Sequence, residues 1–161
     1  MIYIFKLSNE DAAKAVKMES SYLAERRSED GLNESLLYDE EYQILFRDHF
    51  LQARAKVIEA TLAYSKNIEM TVEYFEINNM DSEKDFLLYL SMPDTFIKQM
   101  VEPITVRIKE YIISNIMYRW LDTKLPQEAG VYLNRANDAL KDVKRMLEMR
   151  TVNTRRTGRY Y

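Results

Sequence analysis

A chain of 161 residues, 47% hydrophobic and 30% charged, has the composition of one globular domain with a core, not of a disordered polymer. Its formal net charge of −3 is too small for the whole body to act as a nucleic-acid binder. The absence of cysteine excludes disulfides, thiolate zinc sites and cysteine nucleophiles, and three Gly with three Pro leave little room for long irregular loops.

The first segment, Ile2–Leu7, is short and rich in β-branched and aromatic residues, which predicts a strand. It is too short for a signal peptide, and no apolar run approaches the roughly 18 residues of a membrane helix. The expectation is a soluble, unsecreted protein. Ser8 offers an N-cap, with Asp11 three residues on and acids where they oppose the helix dipole. Ala12, Ala15/Val16, Glu19 and Tyr22/Leu23 continue at helical spacing to about Arg27. The polar run from Ser28 to Leu37 reads as a loop. Asp39 is placed to cap a second helix, whose stripe is Tyr42, Leu45/Phe46, His49/Phe50, Ala53, Val57, Ala60/Thr61 and Tyr64. Arg47, Asp48, Arg54, Lys56 and Glu59 are assigned elsewhere on that helix.

The period then changes. Ile68 to Ile77, a turn-forming cluster at Asn78–Ser82, and Phe86–Leu90 predict an antiparallel hairpin. The N-terminal strand can join it as a third strand, because a lone hairpin is marginal in water. Met92-Pro93-Asp94 ends the sheet. Pro103 implies a short helical turn, a kink and then a main helix to Asp122, since proline is tolerated at the start of a helix. Ile104, Ile108, Ile112/Ile113, Ile116/Met117 and Trp120/Leu121 give that helix a broad apolar face. After a hinge at 122–125, Pro126 opens a last helix with the stripe Ala129, Tyr132/Leu133, Ala136, Leu140, Val143 and Met146/Leu147. The expected fold class is α+β, predominantly helical, with about four helices and a small antiparallel sheet of two or three strands. Residues 1–150 read as a single domain and 151–161 as a basic tail. Leu45, Phe50, Val57, Ile108, Ile112, Ile116, Trp120, Leu133 and Leu140 are expected in the core.

Nothing in the sequence is arranged for chemistry. His49 is the single histidine and sits beside Phe46 and Phe50, without the cluster of partners that a metal or a general base needs. Asp39-Glu40-Glu41 is explained by capping, and Glu69, Glu73 and Glu76 by a solvated strand face. There is no Gly-rich phosphate loop and no Gly-x-Ser-x-Gly. The expectation is therefore no enzyme, no cofactor and no metal.

Charge is uneven along the chain. Residues 9–41 are acid-rich, whereas Arg150, Arg155, Arg156 and Arg159 stand in an acid-free end that closes on Tyr160 and Tyr161. Arginine and tyrosine carry much of the binding energy at interfaces, so these six residues are the candidate interaction site. Plain terminal disorder is the competing reading of residues 151–161. Nucleic-acid binding through the arginines is a further alternative, weak and salt-sensitive if they act alone.

Three passages carry a resemblance: Ser28–Gly31 through Asp39-Glu-Glu-Tyr42; Tyr118-Arg119-Trp120-Leu121 with the hinge before Pro126; and Tyr132, Ala136 and Leu140–Val143 running on to Arg155-Arg156. In this order of elements the chain resembles small virion proteins of tailed phages and prophages, of the head–tail connector or adaptor type. The hairpin is more than the most compact helical connectors carry. The resemblance implies a non-catalytic homo-oligomer, assembled as a ring between portal and tail components. It also implies residence in the virion, and in the host cytoplasm before assembly. A soluble regulatory or nucleic-acid-binding module using the basic tail is the alternative.

Overall fold

The computed structural model describes residues 1–27, 36–38, 42–65 and 85–150. The elements are β1 (Ile2–Leu7), α1 (Asn9–Arg26), α2 (Gln43–Ser65), β2 (Phe86–Ser91), α3 (Val101–Leu121) and α4 (Pro126–Glu148), with a 3₁₀ turn at Lys98–Met100 before α3. This is the predominantly helical α+β class read from the sequence. The Asp39 cap, most of the loop after α1, the first arm of the expected hairpin and residues 151–161 lie outside the described residues.

β1 and β2 pair antiparallel, with Ile2 opposite Ser91 and Leu7 opposite Phe86. The strand period of two divides them cleanly. Phe5 and Leu7 of β1, with Phe86, Leu88 and Leu90 of β2, are buried on the inner face. Asp85 ties the sheet to the start of α1: it pairs with Lys6 at 3.0 Å and accepts a bond from the Asn9 amide at 3.4 Å. Ser8 caps α1 as its spacing predicts, accepting the Asp11 amide at 3.3 Å.

α3 is the centre of the molecule. α1, α2, α4 and the sheet all pack on it, α4 along most of its length. Ile104, Ile108, Ile112, Ile116 and Trp120 are buried, and each such side chain contributes roughly 1.5–3 kcal/mol. Pro103 is the third residue of α3. Its missing N–H is among the amides that have no partner inside a helix anyway, so the proline breaks no ladder bond. Pro126 opens α4, as expected.

Several positions differ from the sequence expectation. Leu45 is 38% exposed, because Phe46 takes the inward direction in the first turn of α2. Leu133 and Leu140 are half-buried, and the small residues Ala136 and Ala139 take the closest positions between α4 and α3. On α1, Tyr22 faces solvent, whereas Ser20 and Ala24 are buried. Ser20 is small enough to let the backbone at Tyr38 approach, and its hydroxyl accepts the Tyr38 amide at 3.0 Å. Arg54, assigned to the polar side of α2, is buried with its guanidinium over the rings of Phe86 and Phe50, at 4.8 and 5.8 Å from their centroids. A flat, weakly hydrated guanidinium can stack in such a place where an ammonium cannot.

Candidate interaction surfaces

Of the residues expected to carry binding, Arg150 is the one within the described residues. It is half-buried at the end of α4 and donates through Nη1 to the carbonyls of Leu147 and Met149, at 2.6 and 2.9 Å. Those carbonyls lie at the negative end of the helix, so the arginine closes α4 electrostatically. An antiparallel bridge to Phe96 holds its backbone. Phe96 in turn meets Tyr3 edge to face, with ring centroids 5.3 Å apart. The point from which the basic segment continues is thereby fixed beside the sheet. Arg155, Arg156, Arg159, Tyr160 and Tyr161 lie outside the described residues.

The outward face of that sheet is apolar. Ile2 and Ile4 are 55% and 53% exposed, and across the ladder stand Ser91 and Tyr89. Lys6, opposite Leu87, is the charged residue of this face. An ordinary two-stranded sheet with one solvated face alternates apolar and polar residues, and this one does not.

A second apolar surface runs along α2. At 100° per residue, Ile44, Leu51, Ala55, Ile58 and Leu62 fall on one line, roughly opposite the buried line of Phe50, Ala53, Val57 and Thr61. Ile44 is 85% and Leu62 52% exposed, with Leu51, Ala55 and Ile58 half-buried between them. α2 is thus apolar on two faces. The sequence signal was the seven-residue recurrence of Ile44, Leu51 and Ile58. It is masked by the stronger aromatic stripe of the same helix.

An aromatic cluster sets the position of α2's first turn. Trp120 meets Tyr38 and Tyr42 edge to face, with centroids 4.6 and 4.7 Å away, and Phe46 stacks on Phe50 at 5.7 Å. The indole Nε1 donates to the Leu36 carbonyl at 2.9 Å. Lys124 lies 3.0 Å from the centre of the indole ring, and burial pushes its pKa down. Burial likewise raises the Tyr38 phenol. These contacts join the chain around Leu36–Tyr38, α2 and α3 in one rigid corner, from which Ile44 projects.

His49 is buried on α2. Its Nδ1 makes no hydrogen bond among the described residues, and its pKa is lowered, first by burial and then by the charge of Arg119. Among the described residues no group of three His, Asp or Glu side chains is placed to hold a metal ion, and no helix is long and apolar enough to cross a membrane.

No protein-family model, curated protein or solved structure matches this chain.

Proposed function

We propose that this protein is a non-catalytic assembly subunit of a tailed-phage or prophage particle, of the head–tail connector type. It forms a ring through contacts between copies and engages portal and tail proteins. The resemblance of its element order motivates the class. The observation that supports an assembly role is the apolar outer face of the sheet, where Ile2 and Ile4 are more than half exposed. Apolar contact from this face and charge-assisted contact from Arg155, Arg156 and Arg159 are the two kinds of contact the proposal assigns to neighbouring proteins. Exposed apolar surface rimmed by charge is the usual sign of a protein–protein contact.

The test is assembly with and without the proteins of a particle. The purified chain is followed by native mass spectrometry and negative-stain microscopy, alone and with the portal protein encoded beside it. Closed rings, lost in an Ile2→Glu/Ile4→Glu variant that melts normally, are the expected result. A chain that forms no ring and binds no portal under any of these conditions refutes the proposal. Retention on duplex DNA with a steep salt dependence, in place of rings, would identify the basic end as a phosphate-binding segment.

A further inference from the structure

We infer that the outward face of α2, from Ile44 to Leu62, packs antiparallel against the same face of a second copy of this chain, giving a two-fold dimer. The spacing of the stripe singles out this partner. Ile44, Asp48, Leu51, Ala55, Ile58 and Leu62 alternate steps of four and three residues, the register of a coiled-coil seam. The order of steps, beginning and ending on four, also reads the same from either end. With helices antiparallel about residue 53, Ile44 meets Leu62 of the second copy, Leu51 meets Ala55, and Ile58 covers Asp48. Large residues oppose smaller or equal ones in every layer. An isologous interface requires this kind of self-complementarity.

A parallel arrangement fails on the same residues. It would set Asp48 against Asp48 and Ala55 against Ala55, giving one layer of like charge and one with a void. The antiparallel pair separates the two aspartates and opposes the helix dipoles. Asp48 also has an outlet to the rim, where its carboxylate accepts the Gln52 amide at 2.8 Å. Arg47, Lys56 and Glu59 flank the seam and, together with Asp48, carry no net charge. Lys56 and Glu59 already pair at 2.9 Å on that flank.

From Ile44 to Leu62 the seam runs ~27 Å, and a helix face ~10 Å wide over that length gives a footprint of about 270 Å² on each copy, about 540 Å² across both. That is below the range of stable specific interfaces, so the dimer is weak and dissociates on dilution. A two-fold contact closes on itself and cannot propagate a ring. The α2 seam therefore stands apart from the ring contacts proposed above, and the two fail independently.

The chain's lack of cysteine makes the test clean. Ile44→Cys and Leu62→Cys chains, full length, are oxidised singly and as an equimolar mixture. The mixture should cross-link about tenfold or more faster than either chain alone, because only the mixed pair brings the two sulfurs within disulfide reach. Sedimentation of the Ile2→Glu/Ile4→Glu chain, in which the ring contacts are removed, should show a concentration-dependent dimer. An Ile44→Glu/Leu62→Glu variant should dissociate about tenfold or more readily while melting at the same temperature, since both side chains face solvent. Monomer at every concentration up to ~200 µM overturns the inference. So does Ile44→Cys cross-linking as fast alone as in the mixture, or a dimer indifferent to the glutamates. Preferential cross-linking of Ile44→Cys to an Ile4→Cys chain would assign the stripe to the neighbour's sheet and also overturn the two-fold seam.

Discussion

Trp120→Phe tests the corner that positions α2. Trp120 is the single tryptophan, 4% exposed, and it holds the Leu36 carbonyl through Nε1–H at 2.9 Å. Phenylalanine keeps a ring for Tyr38, Tyr42 and Lys124 to contact but deletes the donor and part of the ring volume. Leu36 is itself 1% exposed, so water has poor access to the released carbonyl. An orphaned buried acceptor costs about 1–3 kcal/mol. The missing ring atoms add about 1 kcal/mol from lost burial and an unfilled gap. The total is about 2–4 kcal/mol. Urea unfolding followed by far-ultraviolet circular dichroism measures it, because the fluorescent residue itself has been removed. With an m-value of about 2 kcal/mol/M, the midpoint should fall by ~1–2 M. Lys124→Met is the companion variant. It takes the ammonium from the rings of Trp120 and Tyr42 and should cost about 0.5–1 kcal/mol through those contacts, given that the lysine is half-exposed. A Trp120→Phe midpoint within ~0.25 M of the wild type would refute the argument that this hydrogen bond anchors the Leu36 segment to α3.

Ile112, fully buried on the central helix, should cost about 2–5 kcal/mol when replaced by alanine, measured by the same denaturation; a near-neutral result would mean that α3 is not the core. His49 should make the protein acid-sensitive as the pH falls below about 7: its folded pKa lies below the usual 6.5, so the unfolded chain takes up the proton first and stability falls with pH until the folded group also titrates. His49→Gln should flatten that part of the pH profile at modest cost in stability, whereas an unchanged slope would place the titrating group elsewhere. Deleting residues 151–161 should leave the melting temperature nearly unchanged, because α4 ends at Glu148 and Arg150 already closes it, while weakening assembly. A collapsed melt would assign the segment to the core, and no effect on either measurement would remove the basic end from the interaction argument.

Much of the fold was legible because helical and strand periods are local signals. Ser8 and Asp11 marked the start of α1, Pro126 the start of α4, and the isoleucine series from Ile104 to Ile116 identified the central helix. The errors share a cause, which is that tertiary contact decides between neighbouring positions on one face. Whether Leu45 or Phe46 turns inward depends on Tyr38 and Phe50 being there to receive a ring. Arg54 reads as a surface residue until Phe86 arrives from a strand 32 residues later in the chain. Ser20 looks incidental on α1, and its value lies in admitting the backbone of Tyr38. The candidate site was less legible. Arg150 counted as part of a docking segment by composition, yet its guanidinium is spent on carbonyls of its own helix. The Ile44–Leu62 stripe was hidden because one helix carries two apolar periods in the same register of three and four.

α4 supplies an internal control for the meaning of that stripe. Both α2 and α4 have 23 residues and both pack against α3 from the outside of the molecule. α4 meets solvent with Gln127, Asn134, Arg135, Asp138, Lys141 and Lys144, and Val131 is its one large apolar residue exposed there. This fold can therefore place a long helix at its periphery with a polar outer face, as physical chemistry favours. Nothing in the packing of α2 against α3 and β2 demands that Ile44 and Leu62 be apolar, since neither is buried by that packing. Charged residues at those two positions would preserve every core contact of the helix and lower its tendency to aggregate. Isoleucine and leucine there are best explained by a surface that covers them. The seven-residue spacing, shared by Ile44, Leu51 and Ile58 and absent from the outer face of α4, points to a second helix as that surface.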